Sequence, residues 1–295
     1  MNTPVVLMGP IIAANGVASL RDAMSTNLPF KIAVASRSLV NLYPDFLCFG
    51  DAEYGVSVDA WIQRISVFPS ETAVCSIDQN WINIFTTCLP GAMALLNQHD
   101  ASSRIRSRPD TSIMFNGALL LKGEAKYLET DMETARAELT DKFFPGAVCC
   151  FPLGSNSVVG VTTCSTTASL HIITCTNGQF TSVVYSSYAV QLLQRERVRF
   201  IVDMFKVLRW AVTVTRPTSS FHLVPAVRMR TQNCHHVTWT SQGLLKELHN
   251  PGRGVVNRIL QVYAHNLPHV EWGQAVVGNW NAVLVTRVGH KLMDA

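Results

Sequence analysis

Short apolar runs separated by turn residues dominate the middle of the chain. Residues 113–115 and 118–121 are two such runs, and Asn116-Gly117 joins them. An Asn-Gly pair between apolar runs is the strongest short-range signal for a β-hairpin, because both residues tolerate a positive φ angle. The pattern therefore predicts two antiparallel strands.

Three later runs predict further strands. Residues 157–163, 169–176 and 179–185 are apolar and rich in β-branched residues, and Asn177-Gly178 separates the last two. Together with the hairpin, these runs predict a mixed sheet.

Helical periodicity precedes the hairpin. Apolar residues recur every three or four positions over residues 70–96, and Ser70 or Asp78 supplies an N-cap. Pro90-Gly91 interrupts the stretch, because proline cannot continue a helix. The pattern predicts two consecutive helices.

The same periodicity predicts two helices after the hairpin. Residues 128–144 form the first, and we expect most of its outward charges, among them Glu138 and Lys142, to form a solvated face. The alternative for Lys142 is a contact with a phosphate. Residues 188–212 form a second helix of about 25 residues. The inward positions of the first helix are Met132, Ala135, Leu139 and Phe143.

These elements predict an α/β (α+β) chain with a mixed central sheet flanked by helices. Residues 1–58 have no clear pattern, residues 59–186 form the predicted core, and residues 187–231 contain the long helix and a connector. Residues 232–295 follow a different order. There we expect a strand over 237–248, a break at Pro251-Gly252, a helix over 255–265, and strands over 270–272 and 282–288.

Charged residues bracket the predicted hairpin. Asp110 precedes its first run, and Glu124 and Lys126 follow its second. Side chains alternate along a strand, so Glu124 and Lys126 project from one face. Two carboxylates and a lysine are the groups that a metal-dependent phosphodiesterase needs.

The strand register decides whether Asp110 shares that face. A two-residue turn that pairs Phe115 with Ala118 sets Asp110 opposite Gly123, on the face away from Glu124. A three-residue loop or a bulge shifts the pairing by one residue and sets Asp110 across from Glu124. A shared metal site requires the second register.

The acidic motif resembles that of a known superfamily. Pro109-Asp110 followed by Glu124-Ala125-Lys126 is similar to the signature of the PD-(D/E)XK nucleases. The resemblance implies a restriction-endonuclease-like core within residues 59–186.

The sequence around the motif narrows the resemblance. Arg108 before the motif and a following helix that carries Glu133, Glu138 and Lys142 resemble the nuclease-like module of Crinkler-type effectors. Those proteins are large multidomain chains, so this chain is compatible with a fragment of a longer product.

The resemblance also implies a metal site. Asp110 and Glu124, helped by the carbonyl of Ala125, would bind Mg²⁺ or Mn²⁺, and Lys126 would orient the attacking water or stabilise charge on the phosphate. Glu71, in the first helix, matches the position of an additional metal ligand. Two of these residues have an alternative role. Glu71 can be an ordinary acidic residue in the first turn of a helix, and Lys126 can form a salt bridge with a carboxylate on a neighbouring strand.

Arginines precede the motif at alternate positions. Arg104, Arg106 and Arg108 form a basic strip that predicts contact with a nucleic-acid backbone. The net charge of +4 and the isoelectric point near 8.7 permit a nucleic-acid partner without demanding one. We expect DNA to be that partner.

Composition narrows the class of protein. With 295 residues, 48% of them hydrophobic and 15% charged, the chain can bury a sizeable core in one or two domains. Its eight cysteines include no Cys-x-x-Cys pair, which disfavours both a disulfide framework and a zinc framework. We expect Cys234-His235-His236 to be structural, because adjacent strand residues point to opposite faces.

Targeting signals are absent from the pattern. No run of about eighteen apolar residues predicts a membrane span. Residues 5–20 are apolar, but Gly9-Pro10 breaks them and no basic residues precede them, which disfavours a secretory signal. The translocation segment of Crinkler proteins is also missing. We expect an intracellular protein, in the nucleus, and in a host nucleus if the chain is a secreted effector.

The order of elements in residues 232–295 resembles the start of a protein-kinase-like lobe, a module often joined to this nuclease type in Crinkler proteins. The His-Arg-Asp, Asp-Phe-Gly and glycine-rich motifs of kinases do not occur. We therefore expect a truncated kinase-like lobe that cannot transfer phosphate and that offers a surface to a protein partner.

The sequence thus predicts a metal-dependent phosphodiesterase that cuts DNA as part of a Crinkler-like effector. The alternative is a catalytically silent effector scaffold that binds nucleic acid or protein through its nuclease-like and pseudokinase-like modules.

Overall fold

The computed structural model describes residues 19–63, 71–98, 100, 102–104, 107–116, 118–143, 147–152, 155–191 and 193–214, and the backbone of five strands between residues 229 and 286. The first part of the chain, which has no clear sequence pattern, folds into short elements. They are α1 (Leu20–Ser25), β1 (Ile32–Val34), α2 (Arg37–Leu42), β2 (Leu47–Phe49) and α3 (Gly55–Gln63). Strands β1 and β2 pair in parallel.

A six-stranded sheet forms the centre of the molecule. Its strands are β3 (Met93–Leu96), β4 (Thr111–Phe115), β5 (Ala118–Ala125), β6 (Ser157–Thr163), β7 (Ala168–Thr176) and β8 (Gln179–Tyr188). They lie side by side in chain order, and every neighbouring pair is antiparallel except β5 and β6. The helices around them are α4 (Glu71–Cys88), α5 (Met132–Asp141) and α6 (Gln194–Val214). The predicted mixed sheet flanked by helices is confirmed.

The β4–β5 hairpin forms where the Asn-Gly pair predicts it, with Asn116 at φ 49°. Its ladder contains a bulge: Met114 pairs with Leu119 and Ile113 with Leu121, which leaves Leu120 as an extra residue on β5. Of the two registers that the sequence allows, the shifted one is therefore formed.

The second helix expected after Pro90-Gly91 is wrong. Helix α4 ends at Cys88, Gly91 adopts φ 91°, and the next apolar residues form β3 instead. A four-residue apolar run fits a helix or a strand equally well, and the open edge of β4 decides the outcome by pairing with it.

The start predicted for the long helix is also wrong. Tyr188 ends β8, where it pairs with Ala168, and α6 begins at Gln194. The Tyr188 hydroxyl still meets the helix, because it donates a hydrogen bond to Asp203 Oδ2 at 2.5 Å.

Apolar side chains cover both faces of the sheet. The larger cluster joins α1, α3, α4 and α6 to one face, and its members include Leu20, Trp61, Trp81 and Phe200. Residues of the 1–58 segment, the predicted core and the long helix therefore share one hydrophobic cluster, and the proposed boundary after residue 58 falls within α3.

The smaller cluster packs α5 on the other face, through Leu139, Phe143 and Phe151. The leucines of β5 are divided between the two clusters. Leu119 belongs to the smaller cluster, whereas Leu120 and Leu121 belong to the larger. The inward positions predicted for the helix over 128–144 are confirmed as buried: Met132, Ala135 and Leu139 in α5, and Phe143 just after it.

A second sheet contains β9 (Met229–Arg230), β10 (His236–Thr240), β11 (Gly243–His249), β12 (Gly273–Gly278) and β13 (Asn281–Thr286). It is antiparallel, in the order β12-β13-β11-β10-β9. The strand expected over 237–248 is a hairpin of two strands. The helix expected over 255–265 and the strand expected over 270–272 lie outside the described residues.

Within the described part of the chain, no helix combines the length and the apolarity needed to cross a bilayer.

Candidate functional site

The residues of the acidic motif lie at one end of the central sheet. Strands β5 and β6 are parallel and end together, with Ala125 paired to Thr163. Strand β4 runs in the opposite direction, so Asp110, just before it, lies at the same end. Thr111 pairs with Gly123, and one further step along the ladder sets Asp110 across from Glu124.

Asp110 is tied to this strand end by a backbone contact. Its Oδ2 atom accepts a hydrogen bond of 2.7 Å from the N–H of Ala125, the residue between Glu124 and Lys126. Asp110 is partly exposed, whereas the Glu124 side chain is fully buried. A solvent-facing carboxylate thus stands beside a buried one.

Glu124 carries an incompletely satisfied charge. Burial raises the pKa of its carboxyl to about 8, although the Lys142 ammonium, which contacts Oε2, acts in the opposite direction. The negative charge of Asp110 and a hydrogen-bonding interaction with the Glu138 side chain raise the pKa further. The Oε1 atom is buried, and no residue in the described part of the chain donates a hydrogen bond to it. A buried oxygen in this state costs free energy that a donor or a cation would recover.

Helix α5 supplies two charged residues to the strand end. Glu138 Oε2 accepts from Lys126 Nζ at 3.2 Å and from Lys142 Nζ at 3.0 Å. Lys126, Glu138, Lys142 and Glu124 therefore form a row of alternating charges, called here the site network. Burial opposes ionisation of Glu138, but Lys142 and Lys126 together hold the pKa of its carboxyl below the usual value.

The solvated role expected for Glu138 and Lys142 is wrong. Both side chains are only partly exposed, and both reach toward β5. Periodicity along α5 identifies its apolar stripe correctly, but it does not show that charged residues of β5 lie beside that stripe.

Asp78 is an acidic residue near the site that the sequence pattern predicted only as a possible helix N-cap. Helix α4 begins seven residues earlier, so Asp78 is interior and fully buried. It accepts hydrogen bonds from Trp81 Nε1 at 2.9 Å and from Thr163 Oγ1 at 2.7 Å. Burial raises the pKa of its carboxyl to about 7, and the charge of Asp110 adds to the effect.

Asp78 approaches the strand ends from the face opposite Glu124. Thr163, its partner, alternates along β6 with Thr162, which pairs with Glu124. The sequence signal for Asp78 was an acid within an apolar helical stretch, three residues before a tryptophan.

Glu71, the expected additional ligand, is the first residue of α4. The structure describes its backbone and not its side chain. The seven residues that separate it from Asp78 correspond to about 10 Å along the helix axis.

The basic strip contacts the end of α5. Arg104 is exposed, yet its Nε donates to the carbonyl of Phe143 at 2.8 Å and its backbone N–H to the carbonyl of Lys142 at 2.8 Å. Arg108 is exposed two residues before Asp110. Arg106 lies outside the described residues.

A second buried ion pair continues the charged face of β5. Lys122 Nζ lies 3.8 Å from Asp100 Oδ2 and 4.0 Å from the centre of the Phe143 ring, and it donates to Ser103 Oγ at 2.9 Å. Both charged side chains are inaccessible to solvent. Burial would raise the pKa of Asp100, but Lys122 and hydrogen bonds from Ser102 and from Ser112 lower it below its usual value. This pair is structural, because no substrate can reach it.

Polar residues extend the same face across β6 and β7. His171 lies between two hydroxyls, with Nε2 2.9 Å from Thr162 Oγ1 and Nδ1 3.1 Å from Ser182 Oγ. Burial, together with the charge of Arg136, lowers the pKa of the ring to about 4. The imidazole is therefore neutral near pH 7.

The oxygen atoms at the strand end suit a small divalent cation. Within the described ranges, no group of three or more His, Cys, Asp or Glu side chains is arranged to bind a metal. Mg²⁺, however, commonly takes one or two carboxylates and completes its octahedron with water and substrate oxygens. Asp110, Glu124 with its unpartnered Oε1, and the carbonyl of Ala125 fit that pattern.

Comparisons of the chain with protein-family models, with curated proteins and with solved structures gave no match. Functional conclusions therefore rest on the residues themselves. Two adjacent carboxylates, one with an unpartnered buried oxygen, two nearby ammonium groups and exposed arginines suit an anionic, oxygen-rich substrate that brings or shares a divalent cation.

Proposed function

We propose that the chain is a divalent-metal-dependent phosphodiesterase of the PD-(D/E)XK type that cuts DNA, as part of a Crinkler-like effector. The observation that supports this most directly is the 2.7 Å hydrogen bond from the Ala125 N–H to Asp110. It joins the first half of the motif to the middle of Glu124-Ala125-Lys126.

The order of elements supports the same proposal. Helix α4, the three strands β3 to β5, helix α5 and the parallel strand β6 follow one another along the chain. This arrangement puts the motif at the carboxyl ends of two adjacent parallel strands, the usual place for ligands in open α/β sheets. It is compatible with the restriction-endonuclease-like core that the motif implies.

Each residue has a distinct role in the proposed reaction. Asp110, Glu124 and the carbonyl of Ala125 would hold Mg²⁺ or Mn²⁺. When bound, the cation would lower the pKa of the attacking water and offset charge on the phosphate. Lys126, oriented by Glu138, would donate a hydrogen bond to the water or to the phosphate oxygens as negative charge accumulates. The exposed Arg104 and Arg108 would bind the flanking DNA backbone.

The decisive experiment is cleavage of duplex DNA by the purified chain. We expect cleavage with Mg²⁺ or Mn²⁺, none with a chelator, and a rate loss on the order of 10² to 10³ for Lys126→Ala, the usual loss for one preorganised donor. Asp110→Ala should abolish cleavage. Lys206→Ala is the matched control, because Lys206 is a similarly buried helical lysine paired with Asp203 at 2.8 Å. Cleavage at the wild-type rate in both motif variants would refute the assignment.

A second candidate is a silent scaffold that binds nucleic acid without cutting it. The pairing of Glu124 with Lys142 favours this reading, because a carboxylate neutralised by an ammonium is a weaker cation ligand. DNA binding that declines with salt and depends on Arg104 and Arg108, without cleavage under any cation, would select the scaffold.

We propose a nuclear location for the whole chain.

For the C-terminal unit we propose a protein-binding role without phosphoryl transfer. The absence of the kinase catalytic motifs from the sequence supports this role. ATP-dependent phosphorylation by the purified chain, lost on Lys246→Ala, would overturn it.

A further inference from the structure

Lys142 compensates the buried charge of the candidate site. It follows the last residue of α5, and its side chain is 17% exposed while its partner Glu124 is 0% exposed. The Lys142 side chain is therefore partly accessible, while its ammonium contacts a carboxylate that solvent does not reach. The same ammonium contacts Glu138, one helical turn earlier and 30% exposed.

Two other lysines belong to the same region of the sheet end. Lys122 is inaccessible and contacts Asp100 and Ser103, and Lys126 contacts Glu138. Lys142 contacts Oε2 of Glu124, so a divalent cation that binds both oxygens of this carboxylate must replace the Lys142 ammonium there. The unpartnered Oε1 beside the occupied Oε2 gives an incoming cation its first contact.

Glu138 can hold Lys142 near the site after a cation has replaced it at Glu124. It contacts Lys126 and Lys142 with the same oxygen, so Lys142 can leave Glu124 and remain bound to Glu138. Its ammonium then stays beside Lys126, at the strand end.

The net charge of the site indicates what Lys142 can bind after its release from Glu124. With all groups ionised, the site network together with Asp110 carries one net negative charge, and a divalent cation changes this to one net positive charge. A phosphodiester carries one negative charge, so the site network and Asp110 together repel it before the cation has entered and attract it afterwards.

We propose that Lys142 holds the place of the divalent cation at Glu124 and, once displaced, becomes a phosphate-binding residue of the same site, kept in position by Glu138. The inference rests on the proposed function, and it adds a residue that the acidic motif does not include. It also gives an order of binding: cation first, phosphate second.

The first test measures cation binding without any reaction. Mn²⁺ is titrated calorimetrically into wild type, Lys142→Met and the matched control Lys206→Met. We expect the Kd for Mn²⁺ to fall about tenfold or more in Lys142→Met and to stay unchanged in the control. A tenfold fall corresponds to roughly 1.4 kcal/mol of binding free energy. An unchanged or higher Kd in Lys142→Met would overturn the inference.

A double-mutant cycle tests whether the effect acts through Glu124. In a Glu124→Gln background the carboxylate is absent, so Lys142→Met should no longer tighten Mn²⁺ binding. Tightening of equal size in that background would contradict the exchange. If Lys142→Met alone fails to fold because Glu124 is left unpaired, Lys142→Gln, whose amide can donate to Glu124, carries the same test.

The second test measures phosphate binding with a short DNA duplex and Ca²⁺, a cation chosen to suppress cleavage. Lys142→Met should weaken duplex binding about tenfold with Ca²⁺ present and leave it unchanged with chelator, because Lys142 is released only when a cation is bound. Equal weakening in both conditions would show an ordinary basic contact and would overturn the proposed order.

The outcomes separate this inference from the proposed function. Wild-type cleavage with an unaltered Mn²⁺ affinity in Lys142→Met would refute the exchange and leave the nuclease intact. Tighter Mn²⁺ binding in Lys142→Met without cleavage by any variant would support the exchange and refute the nuclease. Absence of Mn²⁺ binding in every variant would refute both.

Discussion

Buried charged side chains distinguish this protein at the scale of single residues. Asp78, Asp100, Lys122 and Glu124 are all nearly inaccessible, and such groups are destabilising unless partners compensate them. The compensation differs among them. Asp100 and Lys122 neutralise each other, Glu124 contacts Lys142, and Asp78 receives only neutral donors.

Asp78 should therefore make stability fall as pH rises. Its pKa is raised by burial from the ordinary 3.8 to about 7, so the native state binds the proton more tightly than the unfolded state does. Its stabilising contribution is complete below pH 3.8 and is lost by about pH 7, with a slope of at most ~1.4 kcal/mol per pH unit. Asp78→Asn has no such titration.

Urea unfolding of wild type and Asp78→Asn at several pH values checks this. The free energy of unfolding of the variant, relative to wild type, should increase from pH 4 to pH 7 and then level off. A difference that is constant over this range would contradict the buried, proton-binding state of Asp78.

Lys122 should be costly to remove alone. Lys122→Met leaves the Asp100 charge buried without its cation, which typically costs about 3–5 kcal/mol. Lys122→Met with Asp100→Asn removes both charges and should cost less than the single change. Chemical denaturation measures both, with Lys206→Met as the control for a partly accessible helical ion pair, where we expect a smaller loss of stability than for Lys122→Met. A double variant less stable than Lys122→Met would show that Asp100 is stabilised by its serines alone.

At the scale of elements, the fit of α5 against the sheet orients the site network. Gly160 of β6 makes this close approach possible, because a Cβ there would lie 3.0 Å from Leu139 Cδ1, 3.0 Å from Ile173 Cδ1 and 3.1 Å from His171 Cβ. Leu139 is adjacent in sequence to Glu138, so a shift of the helix at this point would move the contact between Glu138 and both lysines.

Gly160→Ala should destabilise the protein by about 1–3 kcal/mol, the usual cost of overpacking. A Leu139→Ala background removes one of the three close contacts, so the same change should cost less there, and a double-mutant cycle measures the coupling. Gly55→Ala is the control, because its Cβ would find ordinary contacts of 3.6 Å or more. If the changes in unfolding free energy caused by Gly160→Ala and Leu139→Ala are additive, the close contact between Leu139 and this position does not affect stability.

At the scale of the whole molecule, residues far apart in the chain share one core. Trp61 of α3 lies 4.9 Å from the Phe200 ring of α6, and Trp81 of α4 lies 6.5 Å from the same ring, centre to centre. All three belong to the larger hydrophobic cluster, with Trp210 of α6. A cluster that draws on so many elements favours cooperative unfolding.

The buried tryptophans should therefore report a single transition. In protein labelled with 5-fluorotryptophan, the ¹⁹F resonances of Trp61, Trp81 and Trp210 should lose intensity at one urea midpoint. Loss of the Trp61 resonance at a lower midpoint would indicate that the N-terminal segment is an independent unit.

Local chemistry determined much of this fold before any packing. The Asn116-Gly117 turn, the strands that flank it, the three later strands and the inward face of α5 all follow from turn preference and side-chain periodicity, which act over a few residues. The sequence also set Glu124 and Lys126 on a shared face, because two-residue spacing on a strand does so, but it left the face of Asp110 open between two registers.

Only the tertiary structure decided the rest. It made residues 93–96 a strand at the edge of β4, set the bulge at Leu120 that moved Asp110 across from Glu124, and buried Asp78 beside Thr163. It also turned Glu138 and Lys142 from an expected solvent face into partners of Lys126 and Glu124. Each outcome depends on which surfaces meet across long stretches of chain, and the periodicity of one segment contains no information about the segment that will pack against it.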